Sequence, residues 1–528
     1  MKQSTLFSMV LVAVFITFLM MPGIMMLYQP PKEISAVEKR KLAQFPTVGK
    51  SLDSIEQFPD EFETYFNDHF GLRDFYISIY NSTFTKLFRT SPNKNVILGR
   101  EGWLYMAASG VLSDFLGQRI TNESTIIDYV EELVDRQQWF NDRGVRYLFV
   151  PVPNKIQVYP EYLPAIYAGL AGETVYEKLF NRLGSRVDAA ESLSLLPLFL
   201  EAKEQQQLYY KTDTHWNFTG AYLGYRHIIN AIQQWFPDRE SLLKKDLTSF
   251  KHTYPGDLAQ LLHLEKEFAE QADDVRIRKE CTGSGPRPIE WPEAGSDYKK
   301  SANSRKVYLA ECHDKDLTVF IIQDSFGNHP SRFFANQFGK TYFFTKSDFR
   351  DIVPFIKEQN PDLVIDLHAA RNLPKTLKPH PDVTAYVSQK RFNESRTYLI
   401  GLSGSDFSDN NLISHNIEIA RGRPPGSFTA TTNDPQFDIS LPGGSGTHQG
   451  IVMHLEIDSP GDTLLQIFYN DHDQSSFHES RSVATLLKKG KNSLYLRLPA
   501  FQAINRIRLD PGKVKGAYTI HSFSVRKS

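Results

Sequence analysis

Cysteine is nearly missing from this chain: 528 residues carry two, Cys281 and Cys312. Two thiols cannot build a disulfide scaffold, and no Cys/His set stands at zinc-ligand spacing, so no metal is expected. The pair stays open between one disulfide in an oxidising compartment and two unrelated buried thiols. An excess of one charge sign is missing too. Lys and Arg number 60 against 61 Asp and Glu, a net charge of −1. Nothing therefore marks a nucleic-acid binder. Internal repeats are absent. Hydrophobic residues make up 41% and charged residues 23%, which excludes a disordered chain. The length exceeds what one core covers and predicts two or three domains.

The first long apolar run covers residues 6–28, broken only by Ser8, Thr17 and Pro22-Gly23. About 20 such residues cross a bilayer. No small-residue cleavage site follows, so residues 1–30 are expected to form an uncleaved membrane anchor, with a removed signal peptide as the alternative. Lys2 precedes the run, whereas Lys32, Lys39, Arg40 and Lys41 follow it. By the positive-inside rule that bias favours a cytoplasmic main domain, yet long domains translocate regardless of it. Orientation stays open on this evidence.

Residues 31–60 read as a linker. The stretch 62–80 is aromatic and amphipathic, and His69, between Asp68 and Arg73, is either a site residue or a hydrogen-bonded packing histidine. Residues 96–105 predict a hairpin turning at Arg100-Glu101-Gly102. Ile126, Ile127, Val130, Leu133, Val134 and Phe140 define a helix that Gly144 can end, followed by a strand at 145–150. A second strand is predicted at 186–189. Residues 265–305, polar and interrupted by Gly283, Gly285, Pro286, Pro288 and Pro292, predict a long surface insertion. Apolar strands at 317–323, 340–345 and 361–367, separated by helical segments, predict a parallel sheet covered on both faces. Past residue 387 short alternating runs and Pro/Gly turns predict an antiparallel β-sandwich.

Two motifs carry chemistry. Asp213-Thr214-His215 is followed by Asn217, an N-cap candidate, and by Ala221, Tyr225, Ile228, Ile229, Ile232 and Trp235 at helical spacing. An acid and an imidazole at the mouth of a helix make a general base lacking a nucleophile. Asp324-Ser325-Phe326-Gly327 supplies a serine at the carboxyl end of a buried strand, the edge where open α/β sheets gather their chemistry. Alone, the first motif is equally a metal pair or a structural loop, and the second a turn. Together they predict Ser325 as nucleophile, His215 as base and Asp213 as the acid fixing its tautomer. The Ser325 amide is a candidate oxyanion donor.

With the serine block at 317–327, an asparagine block running from the 361–365 strand to Arg371-Asn372, and the Asp-x-His block, the chain resembles the SGNH hydrolases in circularly permuted order. Asn67-Asp-His-Phe-Gly-Leu-Arg73, Gly102-Trp-Leu104, Asp213-Thr-His215-Trp-Asn217 and Asp324-Ser325-Phe-Gly327 resemble the blocks of the alginate O-acetyltransferase (AlgJ/AlgX-like) family over about 62–373. The resemblance implies an SGNH hydrolase-like catalytic domain over 61–386 and a carbohydrate-binding β-domain over 387–528. It also implies acetyl transfer without a cofactor onto an extracytoplasmic exopolysaccharide, and an inner-membrane anchor with the catalytic domain in the periplasm. Its expected partners are the polysaccharide acceptor, a multipass membrane acyltransferase relaying the acetyl donor, and other export proteins. Arg371 and Asn372 are oxyanion or substrate-binding candidates. The chain departs from the broader pattern at Gln323, where a Gly-Asp-Ser motif has glycine, and it has no clear glycine block after 340–345. All five tryptophans precede residue 387, so sugar stacking in the β-domain would fall to Phe468, Tyr469, Phe477 or Tyr495. Those aromatics equally suit a core, and Asp471-His472-Asp473 suits a solvated turn better than a metal site. The rivals are an acetyl-esterase using the same triad and a non-catalytic assembly protein that holds polymer.

Overall fold

The computed structural model describes residues 2–28, 33–35, 40–47, 49, 51–119, 123–167, 169–184, 191–289, 306–345, 349–377, 379–408, 412–419, 423–441, 450–470, 476–498 and 504–527. Its amino-terminal half is built on a six-stranded sheet. Arg146–Val152, Leu363–Ala369, Thr318–Gln323 and Lys340–Thr345 lie side by side in parallel, and Lys306–Glu311 and Arg287–Ile289 continue the sheet antiparallel.

Period-two alternation decides which face each side chain covers. Val319 and Ile321, with Leu363, Ile365 and Leu367, join one apolar cluster that includes the helix Phe218–Ile232. Phe320 and Ile322, with Val364, join a second, packed by Glu123–Asn141, Val175–Gly184, Phe349–Gln359 and Pro381–Glu394. Every residue of Leu363–Ala369 is buried, as a central strand covered on both faces requires. Each such branched side chain contributes roughly 1.5–3 kcal/mol. The register sets Gln323 beside Leu367, so the serine turn and the loop after Ala369 emerge at one edge.

Three expectations need correction or relocation, and two fall outside the described residues. Residues 265–305 are not simply an insertion. Glu270–Ile277 pairs antiparallel with Leu247–Tyr254, and Arg287–Ile289 forms the sheet edge. A two-stranded ribbon buries few side chains, here Leu247, Ala272 and Ile277, so its sequence stays polar. Pro288 is tolerated because an edge strand can spare an N–H. The domain boundary at 387 falls within the helix Pro381–Glu394, whose buried Val383, Val387 and Phe392 supply apolar positions at helical, not strand, spacing. The strand predicted at 361–367 runs Leu363–Ala369, through His368. The candidates at 186–189 and Asp471-His472-Asp473 lie outside the described residues.

Beyond that helix stand two antiparallel sheets. One is ordered Ile417–Ile419, Ser427–Ala430, Gly516–Lys527, Ile451–Ser459, Gly490–Leu498, with Tyr398–Ser403 also on Gly516–Lys527. The other is ordered Ile413–His415, Gln436–Ser440, Arg506–Asp510, Thr463–Asn470, Ser482–Leu487. Residues of both, such as Met453, Leu455 and Phe523 with Ile439, Ile467 and Ile507, share one apolar cluster. Phe468 and Tyr469 are buried, while Tyr495 stacks on His454 at 4.3 Å. Arg497 ties these sheets to the amino-terminal half, donating to Asp135 at 2.8 Å and Glu131 at 3.1 Å. Arg391 donates to the same two carboxylates.

Towards the amino terminus, Lys2–Tyr28 is helical and holds a 20-residue span, Phe7–Met26, apolar and long enough to cross a membrane. His69 is a packing residue. Its Nε2 is 2.8 Å from the Ala43 carbonyl oxygen and its ring stacks on Tyr65. Val96–Leu98 and Leu104–Met106 form the expected hairpin. Cys281 and Cys312 are joined as a disulfide.

Candidate active site

The loop from Tyr209 to Trp216 is closed at its neck. Tyr209 and Trp216 bridge, and the Asn217 amide donates to the Leu208 carbonyl at 2.9 Å. Asn217 then caps the helix Phe218–Ile232, its side-chain oxygen accepting from the Gly220 amide at 2.9 Å. A β-carbon on Gly256 would collide with the Thr212 carbonyl, so only glycine lets the next loop lie this close.

Within the loop Asp213 folds back on His215. Its Oδ1 accepts from the His215 backbone amide at 2.8 Å and lies 2.6 Å from Nδ1. The other carboxylate oxygen accepts from the Tyr254 hydroxyl and the Asp257 amide, both at 2.8 Å. Two-residue spacing thus suffices to reach the far nitrogen. His215 Nε2 then stands 2.8 Å from Ser325 Oγ. Burial alone would raise the Asp213 carboxyl, but the His215 hydrogen bond and charge and the Asp257 amide hold it well below the usual carboxylate range. Asp213 therefore stays ionised and keeps a proton on Nδ1, leaving Nε2 to accept from the serine.

Ser325 begins a short turn, Ser325–Asn328, directly after the strand Thr318–Gln323. Its neighbour Asp324 is the rivet of that turn. Oδ1 accepts from the Phe326 amide at 2.9 Å, and Oδ2 accepts from the Ala369 amide at 2.8 Å and Asn372 Nδ2 at 2.7 Å. Asn372 is thus brought to the serine turn through Asp324, and the Arg371 guanidinium lies over the Phe326 ring at 5.0 Å. Gln323, in the place of the missing glycine, is buried with its side chain against Gly327.

Several contributors were not foreseen. Lys155, almost wholly buried at the end of the strand Arg146–Val152, points its ammonium at the loop from beneath. It donates to the carbonyls of Tyr210 at 3.1 Å, Lys211 at 3.0 Å and Asp213 at 2.5 Å. Burial pulls it down to about 8. Glu270 accepts from the amides of Lys211 and Thr212 and from the Thr212 hydroxyl. Asp257 accepts from the Thr214 amide and hydroxyl, with Oδ2 3.8 Å from His215 Nδ1. Burial and the neighbouring Asp213 push its carboxyl up. Tyr254, Asp257 and Glu270 come from the region about the polar ribbon. The only sequence signal was the turn Pro255-Gly256-Asp257; for Lys155 it was a cation set directly after an apolar strand. His329 walls the site as a neutral ring, 6.3 Å from His215 and 4.5 Å from Phe218. Burial and the His215 charge press it down to about 4.

Carboxylate and imidazole atoms of Asp213, His215 and Asp257 lie within 4.8 Å of one another, a spacing a cation would accept. Both Asp213 oxygens and the Asp257 carboxylate already receive hydrogen bonds, and His215 faces a serine. A hydrogen-bonded acid–base–nucleophile line accounts for all of them. A second Asp-x-His, Asp366 and His368, also pairs at 2.7 Å, but it is buried against Tyr147 and Arg136 under the sheet edge.

Residues 96–284 match the family model described as the SGNH hydrolase-like domain, acetyltransferase AlgX. Over those residues the chain is similar to the AlgJ/AlgX-like proteins. It is 24% identical over 306 residues to the probable alginate O-acetylase AlgJ of Pseudomonas syringae pv. tomato, covering 56% of this chain and 70% of that protein. It is 23% identical over 259 residues to the protein of the same description from Pseudomonas aeruginosa, covering 47% of this chain and 62% of that one. Among solved structures it is similar to Bacillus cereus PatB1 with a sulfonyl adduct, at 19% identity and a TM-score of 0.41, covering 54% of this chain and 98% of that one. The AlgX model match holds Asp213 and His215 and ends before Ser325, so the site's geometry is what joins the serine to it.

Proposed function

We propose that this chain is an O-acetyltransferase that moves acetyl groups onto hydroxyls of an extracytoplasmic polysaccharide through an acetyl-Ser325 intermediate. The observation that carries this reading is the unbroken line from Asp213 through His215 to Ser325 Oγ. The relatives named alginate O-acetylases supply the substrate class, a polysaccharide.

His215 Nε2 takes the Oγ proton as Oγ attacks the acetyl carbonyl of the donor, and the imidazolium returns that proton to the leaving group. A sugar hydroxyl then gives its proton to Nε2 and attacks the acetyl carbon, and Ser325 leaves, recovering a proton from the imidazolium. Asp213 holds the charge on His215 throughout. The Ser325 amide donates to the oxyanion. Asn372 Nδ2 has a second hydrogen beyond the one given to Asp324, which can serve the same oxygen, and Arg371 borders it.

On this reading residues 61 to about 394 are a circularly permuted SGNH-like catalytic domain and the C-terminal sheets a β-sandwich for the polymer. The apolar helix anchors the protein in the inner membrane with its site in the periplasm, where a multipass membrane acyltransferase hands over the acetyl donor. Ser325→Ala tests it. With an activated acetyl ester and an oligosaccharide, the wild type yields acetylated sugar and the folded variant yields none. Free acetate without acetylated sugar marks an esterase instead, and acetylation by the variant refutes the covalent intermediate.

A further inference from the structure

We infer that the hairpin of helices Leu52–His69 and Arg73–Thr83, prolonged by Phe84–Phe88, lies in the surface layer of a lipid bilayer beside the apolar helix Lys2–Tyr28. Leu52–His69 has no buried residue, although Ile55, Phe62 and Phe66 form a single apolar stripe. Asp53, Glu56, Asp60 and Glu63 take the opposite face. The second arm is fastened to the catalytic half on one side, where buried Asn81 donates to the Leu262 carbonyl at 2.6 Å. It nonetheless exposes Phe75, Ile79, Leu87 and Phe88, each by about half or more.

The occupant of this face follows from what adjoins it. Gly71, at the bend, is buried against the apolar helix so closely that a β-carbon would collide with the Pro22 carbonyl. Pro22 is itself buried, and the Tyr76 ring meets Phe18 edge-on at 5.6 Å. Phe18 stands eight residues before Met26, the end of the apolar span. At the helical rise that is about 12 Å inside it. Amphipathic helices rest roughly 5–10 Å into the headgroup–acyl boundary, and the bend against Pro22, about 6 Å inside, and the Phe18 contact put the hairpin's aromatic row at and just below that depth. Exposed Tyr80 adds the aromatic type that layer favours. The span exposes Val14 and Phe15 on the same helix that Tyr76 and Gly71 touch, and lipid is the one occupant that covers both surfaces. The acidic outer face of Leu52–His69 makes a neutral headgroup sufficient.

The inference rests on Lys2–Tyr28 being inserted, and a separate probe reads that. Both native cysteines are bonded, so Ile79→Cys, Val12→Cys and Lys513→Cys each give one labelling site in the full chain. Each is labelled with an environment-sensitive dye and reconstituted in phosphatidylcholine vesicles, with wild-type ester turnover as the check of folding. The Ile79 label is expected to be quenched by nitroxide-bearing lipid and shielded from aqueous iodide, like Val12 and unlike Lys513. Iodide quenching at Ile79 with Val12 in lipid overturns the inference and leaves the anchor intact. Shielding of Ile79 from both quenchers means that a protein surface covers the row, which overturns it as well. Iodide quenching at Val12 removes the insertion on which it rests.

Discussion

Lys155→Met tests whether a buried cation holds the acid–base loop in place. Methionine keeps the unbranched stem and removes the charge. Burial has drawn the ammonium from 10.5 to about 8, so charging it inside the protein costs about 3 kcal/mol. That cost disappears in the variant. Against it, the carbonyls of Tyr210, Lys211 and Asp213 lose their donor, at about 1–3 kcal/mol each. The balance is a destabilisation of about 0–6 kcal/mol, centred near about 3. A displacement of Asp213 by about 1 Å would cost about 100-fold in kcat, with KM little changed because Lys155 touches no substrate. The sign of the pH effect follows from the lowered lysine. Between about 8 and 10.5 the unfolded chain binds the extra proton, so wild-type stability from this residue rises across that window. Activity moves the other way. A neutral amine has two hydrogens for three carbonyls, so kcat falls along an alkaline limb near pH 8. The neighbouring charges of Asp213, Asp257 and Glu270 hold that limb as high as it is. Steady-state ester turnover across the alkaline range, with urea denaturation alongside, measures both. A variant with kcat within about twofold of wild type and the same alkaline limb would refute the positioning role.

Tyr254→Phe removes one donor to Asp213 Oδ2, worth about 1.5–3 kcal/mol to a charged acceptor. Because the folded Asp213 carboxyl is held low, its stabilisation is present above the ordinary value of 3.8 and fades as pH falls below it. The variant should lose activity at higher pH than the wild type on the acid side, and a superimposable acid limb contradicts this. Arg497→Ala takes one of the guanidinium partners of buried Asp135, leaving Arg391, and should lower the unfolding free energy of the coupled halves by about 3 kcal/mol, read as a lower denaturant midpoint; an unmoved midpoint counts against the tie. Replacing Cys281 and Cys312 with serine opens a link across a separation of 31 residues. Loop-closure entropy puts the loss at about 3–4 kcal/mol, and a melting temperature equal to wild type would show the bridge to be idle.

The strands and the pairing of His215 with Ser325 were legible because each obeys a local rule. Val319 to Ile322 are uniformly apolar, as a doubly covered strand must be, and Ser325 follows at the edge where such strands end. Asn217 announced the helix that places His215. What supports the pair was not legible, since it depends on distant approach. Glu270 lies on a ribbon too exposed to show a core pattern, and Lys155 acts on carbonyls more than fifty positions onward. In the C-terminal sheets, Ile413–His415 and Ile417–Ile419 are too short for alternation to stand out. Val383, Val387 and Phe392 blurred the boundary at 387 because their helix packs on both halves.

The pinched neck between Tyr209 and Trp216 sets an order of failure. Asp213 and His215 are coupled inside one short closed loop, whereas Ser325 arrives from a strand 110 positions away. Warming or mild denaturant should therefore part His215 from Ser325 while Asp213 still grips the imidazole. A preparation can lose all turnover and keep the low-field proton of an intact Asp–His couple, a silent enzyme whose charge pair has outlived its contact with the serine.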